Sequence, residues 1–210
     1  MARRAQGTAA GLTRERIVAA AVALVDRDGL ERFGVRRLAD DLGVDPMSIY
    51  NHIKGKAALL DSVSEAVLAE LPDVAHDAGD WEAVARWTAH SYREIACRHP
   101  RVIPLLATRP QTSPTALAAL ETLVTAMRAA ALPDRLIADT PLLLFGFLNG
   151  YLLAAISAET DTVPTVPEID ATRYPALAAL APQLADFGSV AEFDRLLDAV
   201  LAGIRCRAAR

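Results

Sequence analysis

RRLADDLGVDPMSIYNHI, residues 36–53, reads as a helix, a tight turn and a second short helix. Ala39 falls where two crossing helices leave little room for a side chain. Gly43, four residues on, can supply the positive φ that a short turn demands, and Ile49, six further, points back into the core. This Ala, Gly, Ile spacing is the helix-turn-helix pattern. Asp45 can cap the second helix and Pro46 suits its first turn, which leaves the helix N-terminus available to a phosphate or a groove. With Ile49 and Ile53 facing inward, Pro46, Met47, Tyr50 and Asn51 project outward.

The outward chemistry suits a duplex. Asn51 can offer a donor and an acceptor to adenine, Ser48 can bond a base or a phosphate, and Pro46 or Met47 can touch a thymine methyl. Arg36, Tyr50, Lys54 and Lys56 suit phosphate oxygens. The same stretch also reads as an ordinary helical hairpin, with Met47 and Tyr50 packed and the charges solvated, so the flanking sequence has to decide.

Working outward, the apolar spacings are three and four residues between Gly and Pro punctuation, and no run alternates with period two. The expected class is all-α, packed as a bundle, with no internal repeat. Thr13 is expected to cap a helix with the stripe Ile17, Ala20, Ala21, Leu24 and Val25, closed by a left-handed Gly29. Helices follow at about 35–42, 46–53 and 56–71, with Pro72 as the stop. Residues 72–80 read as a connector. Beyond it, helices are expected at 81–98, 101–107, 114–132, 139–158 and 190–207, the fourth capped by Asp139 or Thr140 with Pro141 in its first turn. Segment 159–189 is expected to begin extended or loop-like through Thr162–Pro167 and to carry one short helix at Tyr174–Leu180.

The 210 residues carry a net charge of −4, divided unevenly. Residues 1–56 hold ten Lys or Arg against seven Asp or Glu, and residues 57–210 hold twelve against nineteen, so a +3 module adjoins a −7 body. That asymmetry permits phosphate binding. The apolar run Pro141–Ile156 contains Asn149 and two glycines and is shorter than the about 20 residues of a membrane span. No secretory signal is legible, so a cytoplasmic location is expected. Cys97 and Cys206 read as reduced thiols packed as small hydrophobes.

Residues 12–68 resemble the DNA-binding domain of TetR-family transcriptional regulators across all four helices. The likeness rests on Thr13-Arg14-Glu15, Ile17, Ala20-Ala21, Asp28-Gly29-Leu30, Arg36, Leu38-Ala39, Leu42-Gly43-Val44, Ser48, Tyr50, His52, Lys56 and Leu59-Leu60. It implies that the third helix enters the major groove through Pro46–Asn51 and that Lys56 contacts the DNA backbone. His52 occupies a commonly matched position and reads either as a phosphate contact or as packing beside the fourth helix. Gly34 stands where the family usually has a Ser or Thr cap, which weakens that cap modestly.

The resemblance implies an arm at 1–11, a DNA-binding domain at 12–71 and a ligand-binding and dimerisation domain at 72–210. The latter is similar to tetracycline-repressor-like C-terminal domains through Arg98-His99-Pro100, Leu105-Leu106, Thr108-Arg109-Pro110, the 120–132 helix and Phe145–Tyr151. Leu105 stands where the tetracycline repressor has a magnesium-binding histidine, and Thr88 and Tyr92 replace its pocket asparagine and phenylalanine. A more apolar effector than magnesium–tetracycline is therefore expected, with no metal and no cofactor. Trp87, Thr88, Tyr92, Leu105, Thr108, Arg109, Phe145 and Asn149 bracket the candidate cavity, Thr88 and Tyr92 sharing a helix face. The aromatic members also read as plain core. Asn149 inside an apolar run needs a partner, in the cavity or across a dimer interface. Helices at about 139–158 and 190–207 are expected to form a four-helix homodimer interface.

The resulting expectation is a DNA-binding regulator, a repressor released from a palindromic operator by a small molecule. Two other classes compete. A helical-bundle enzyme would draw on His52, His76, His90 or His99, but none has metal-ligand spacing with a carboxylate, and no catalytic residue is assigned. A helical adaptor would bind a protein partner through the late apolar helices.

Overall fold

The computed structural model describes residues 11–72, 80–157 and 169–208. Every regular element among them is helical: α1 Arg14–Asp28, α2 Val35–Leu42, α3 Pro46–His52, α4 Gly55–Leu68, α5 Trp81–Arg98, α6 Ile103–Thr108, α7 Pro114–Ala129, α8 Asp134–Ser157, α9 Pro175–Leu180 and α10 Val190–Ala208, with a 3-10 turn at Ala181–Leu184. The arm at 1–10, most of the connector including His76, and the 162–167 stretch lie outside the described residues.

The chain divides into two compact units, one drawn from Met1–Pro72 and His99–Leu117, the other from Asp73–Arg98 and Ala118–Arg210. Residues 99–117 thus lie in the same compact unit as the helix-turn-helix. The cause is contact: α6 packs on α4, and Arg109 just beyond α6 bonds Asp61 through Nε at 2.9 Å.

In the first unit α1 packs on α4 and α2, and α2 packs on α3. Thr13 caps α1, accepting from the Arg16 amide at 3.2 Å, and Ile17, Ala21, Leu24 and Val25 are buried while Ala20 is only half-buried. Gly29 closes α1 at φ 78°, but its ψ of 167° is extended rather than left-handed helical. The end of α1 is tied to α2 by charge. Arg27 donates to Asp28 and to Asp41, the latter at 2.6 Å, and Arg37 meets Asp28 at 3.0 Å.

The turn between α2 and α3 is built as its residues dictate. Gly43 is left-handed at φ 67°, ψ 31°, and the Val44 amide donates to Ala39 O at 3.0 Å, satisfying a carbonyl at the end of α2. Asp45 Oδ1 accepts from the Met47 amide at 2.8 Å and Pro46 occupies the first turn of α3. Leu38, Ala39, Ile49 and Ile53 are buried beneath the turn. By contrast α4 ends at Leu68 rather than 71, because the last bonds, Glu70 N to Val67 O and Leu71 N to Leu68 O, tighten into i to i−3 geometry before Pro72.

In the second unit α8 and α10 pack on each other and both pack on α5. Helix α8 begins at Asp134, not at 139, and Pro141 lies inside it. The helix starts earlier because the Ile137 amide already bonds Pro133 O at 3.0 Å and Thr140 Oγ1 bonds Leu136 O at 2.8 Å, so the proline deletes one ladder bond from an otherwise bonded segment. Continuous from Asp134 to Ile156, α8 is long and apolar enough to cross a membrane, unlike the 16-residue run read from sequence. Its Leu144, Leu148 and Leu152 are instead buried within this unit. Phe193 of α10 is fully buried and rings with Tyr151 at 5.5 Å and Phe147 at 5.9 Å. Smaller shifts occur at α6, α7 and α9, which begin or end within three residues of expectation. Cys97 and Cys206 are both exposed rather than packed, since each falls off the buried stripe of its helix.

No neighbouring atom approaches the place where a Cβ on Gly43 would sit, so only backbone conformation penalises a side chain there. Gly43→Ala should cost about 1–2 kcal/mol in urea-unfolding free energy, and Gly43→Asn less. Asp28 provides a second check. The hydrogen bond from Arg27, with charge from Arg37 and Arg32, holds its carboxyl below the ordinary 3.8. That stabilisation is present above roughly pH 4 and is lost as pH falls through the lowered folded value, so Asp28→Asn should flatten the acid limb of a urea-midpoint-against-pH curve.

Candidate nucleic-acid interface and effector pocket

With Ile49 1% and Ile53 2% exposed, α3 has one face committed to the core, and Met47 on the other is 64% exposed. Arg36, Asn51, His52, Lys54 and Lys56 are exposed, and Pro46, Ser48 and Tyr50 are partly so. His52 therefore points to solvent instead of packing beside α4. Gly34 heads α2 without a side-chain cap bond, as its missing side chain requires. The acidic residues nearby have structural duties: Asp28 and Asp41 pair with Arg27, and Asp45 caps α3.

Lys56 is held in a way the sequence did not disclose. Its Nζ donates to Phe33 O at 3.1 Å and lies 5.9 Å from the centre of the Phe33 ring. One of three N–H groups is thereby used, and the ammonium is fixed at the start of α4 with the others free to donate.

Of the eight candidate cavity residues, three meet directly. The Tyr92 hydroxyl donates to Asn149 Oδ1 at 2.8 Å, and the Tyr92 ring stands edge-on to Phe145 at 5.7 Å. Burial pushes the Tyr92 phenol well above its usual value, so it is a neutral donor. Thr88 is buried on the same helix and its hydroxyl bonds Val84 O at 2.8 Å; Trp87 is half-buried beside it. Leu105, Thr108 and Arg109 belong to the first unit. Thr108 Oγ1 is bonded to Pro104 O at 2.6 Å, Arg109 is engaged by Asp61, and Leu105 is buried. Sequence reasoning missed the aromatic group of Phe147, Tyr151 and Phe193, over which Arg93 lies at 5.6 Å. Their helical spacing was visible, but their pairing across α8 and α10 was not.

Two of the described histidines, His99 and His90, have carboxylate partners. His99 is clamped between Asp26, at 2.7 Å from Nδ1, and Glu70, at 3.1 Å from Nε2, and His90 pairs with Asp194 at 3.1 Å. Among the described residues no cluster of three or more His, Cys, Asp or Glu could hold a metal ion.

A helix-turn-helix whose second helix buries one face and exposes the other defines the class as a DNA-binding protein. Comparison with known proteins supplies the family. Residues 17–63 match the bacterial regulatory proteins of the tetR family, and residues 71–208 match the tetracyclin repressor-like C-terminal domain. The HTH-type transcriptional repressor DrrR1 of Streptomyces coeruleorubidus is 32% identical over 200 residues, covering 85% of this chain and 72% of that protein. An HTH-type transcriptional regulator of Saccharopolyspora erythraea is 32% identical over 211 residues, covering 94% of this chain and 86% of that protein. The TetR family protein ActR of Streptomyces coelicolor, solved in complex with actinorhodin, superposes with a TM-score of 0.83 at 26% identity, covering 95% of this chain and all of that one. The chain belongs to the TetR family and is a DNA-binding transcriptional regulator, not an enzyme. Regulators of this family bind operator DNA and small-molecule effectors and act as dimers.

The Tyr92–Asn149 bond invites a double-mutant cycle. Asn149→Leu strands a buried phenol and should cost about 1–3 kcal/mol in unfolding free energy. Adding Tyr92→Phe should recover much of that loss, since both polar partners are then removed.

Proposed function

We propose that this protein is a homodimeric repressor that leaves a pseudo-palindromic operator when a small molecule occupies the α5–α8 region of its second unit. The observation that carries the reading is the exposed face of α3, with Met47 and Asn51 outward over a buried Ile49. On this reading Asn51 and Ser48 read base edges, and Pro46 and Met47 contact thymine methyls. Arg36, Tyr50, Lys54, Lys56 and His52 hold phosphates. Lys56, braced by Phe33 O, fixes the register of the recognition helix on the backbone.

The homodimer is assigned to α8, about 139–158, and α10, about 190–207. Leu142 is 77%, Leu143 44% and Leu196 39% exposed within one chain, a set of large apolar side chains that a partner would cover. A two-fold dimer would set two recognition helices about 34–36 Å apart, matching successive major grooves. The effector would sit near Trp87, Thr88, Tyr92, Phe145 and Asn149, where the neutral phenol–amide pair offers polar anchoring within an aromatic wall. ActR, solved in complex with actinorhodin, supports an organic effector. A cytoplasmic location follows from the same reading, because its DNA target is there.

Fluorescence anisotropy on DNA from upstream of the protein's own gene, against a shuffled duplex over a salt series, tests this. The upstream duplex should bind preferentially, with affinity falling steeply as salt rises. Lys56→Ala should lower the salt slope by about 0.9, and Asn51→Ala should narrow the gap between the two duplexes by about 1–3 kcal/mol. Equal, weak binding to both duplexes at every salt concentration would overturn the reading.

A further inference from the structure

Residues 99–101, just after α5, close on the ends of two helices of the first unit. His99 Nδ1 lies 2.7 Å from Asp26 Oδ2 in the last turn of α1, and its Nε2 lies 3.1 Å from Glu70 Oε1, just beyond the end of α4. Arg101 turns to the backbone, donating to Asp26 O at 3.2 Å and to Arg27 O, carbonyls at the C-terminal end of α1. The Arg27 side chain is taken up by Asp28 and Asp41. The charged side chains bonded to the imidazole are thus two carboxylates, and the ring is only 13% exposed.

An ionised carboxylate only accepts hydrogen bonds, and a neutral imidazole has one N–H to give. A neutral ring can therefore satisfy one of these carboxylates and must turn a lone pair on the other. Both bonds form together only when both nitrogens carry protons. The two carboxylates are also unequal. Asp26 Oδ1 is buried without a hydrogen-bond partner, so the bond from His99 to Oδ2 has to compensate this carboxylate, whereas Glu70 is exposed and can turn to water. When the ring gives one proton to solvent, the other stays with Asp26 and the Glu70 bond is lost.

We infer that His99 is a proton-dependent clasp between α1 and the end of α4, closed as imidazolium and open at Glu70 as neutral imidazole, so that DNA affinity falls as pH rises. The step to DNA rests on the DNA-binding face proposed above: α4 packs on α1 and carries Lys56 in its first turn. With the clasp open, the end of α4 is released from α1 and the placement of Lys56 loosens. Only the charged ring makes both bonds, so the clasp stabilises the fold on the acid side of the imidazole titration and is lost on the alkaline side.

Urea unfolding of the full chain at about pH 6 and about pH 8.5, near the two ends of the range in which imidazole titrates, tests the clasp without DNA. His99→Gln removes the titrating ring, and Glu70→Gln supplies an amide that can accept from the charged ring or donate to the neutral one, which keeps the link at both pH values. The wild-type midpoint should fall by about 0.5 M more than that of either variant over this interval. His52, His76 and His90 are common to all three proteins, so the difference belongs to His99. Ring-nitrogen NMR should show His99 as the Nδ1–H tautomer at the alkaline end. Fluorescence anisotropy at fixed salt, on the upstream and shuffled duplexes, should show wild type losing about threefold or more affinity beyond the loss in His99→Gln. Equal midpoint shifts in wild type and His99→Gln, or the Nε2–H tautomer at high pH, overturn the clasp. A clasp that opens while both proteins lose DNA affinity equally overturns its link to DNA. Failure of all three proteins to bind either duplex strikes the DNA-binding face itself, while the midpoints still decide the clasp.

Discussion

The first unit depends on one backbone constraint, the left-handed turn at Gly43. A chain reversing between α2 and α3 within three residues must place one residue at positive φ, and only glycine does so without steric penalty. The Val44 amide then satisfies Ala39 O, Asp45 caps α3, and α3 packs on α2 with Ile49, Leu38 and Ala39 all buried. Burying Ile49 and Ile53 orients the whole of α3, because seven residues of helix have no freedom to rotate once two side chains are locked in a core. The exposure of Met47 and Asn51 is a consequence of that burial.

Electrostatics in this unit serves placement as much as attraction. Arg27 bridges Asp28 and Asp41, Arg109 reaches Asp61, His99 sits between Asp26 and Glu70, and Lys56 is held by a carbonyl. Exposed pairs of this kind contribute little individually, but several closing on α1, α2 and α4 limit the ways those helices can shift. The second unit uses a different device. Its polar groups are paired inside an aromatic interior, Tyr92 with Asn149 and Tyr151 with Glu192, the latter at 2.9 Å. Each pair removes the cost of a buried polar atom.

Local signals in the sequence are most exact where a single residue type carries the geometry. The start of α2, the Asp45-Pro46 start of α3 and both ends of α5 fell where capping and periodicity place them. Where the sequence and the structure part, the cause is of the opposite kind. Pro141 in sequence marks a helix start, yet the preceding segment already has bonding partners and the helix continues through it. Gly29 in sequence suits a left-handed close, yet its ψ of 167° is extended. Composition places the cysteines in a core, but it carries no information about which face of a helix a residue occupies.

The site divides along the same line. Sequence alone determined the class of helix-turn-helix, the outward set on α3 and the pairing need of Asn149, because each follows from spacing within one helix or turn. Only the tertiary structure decided that Tyr92 answers Asn149, that Phe33 holds Lys56, that Arg109 serves Asp61 and that His99 joins Asp26 to Glu70. These are contacts between residues 23 to 73 positions apart. A side chain's partner across an interface depends on where two separately formed helices dock, and no periodicity within either helix encodes that.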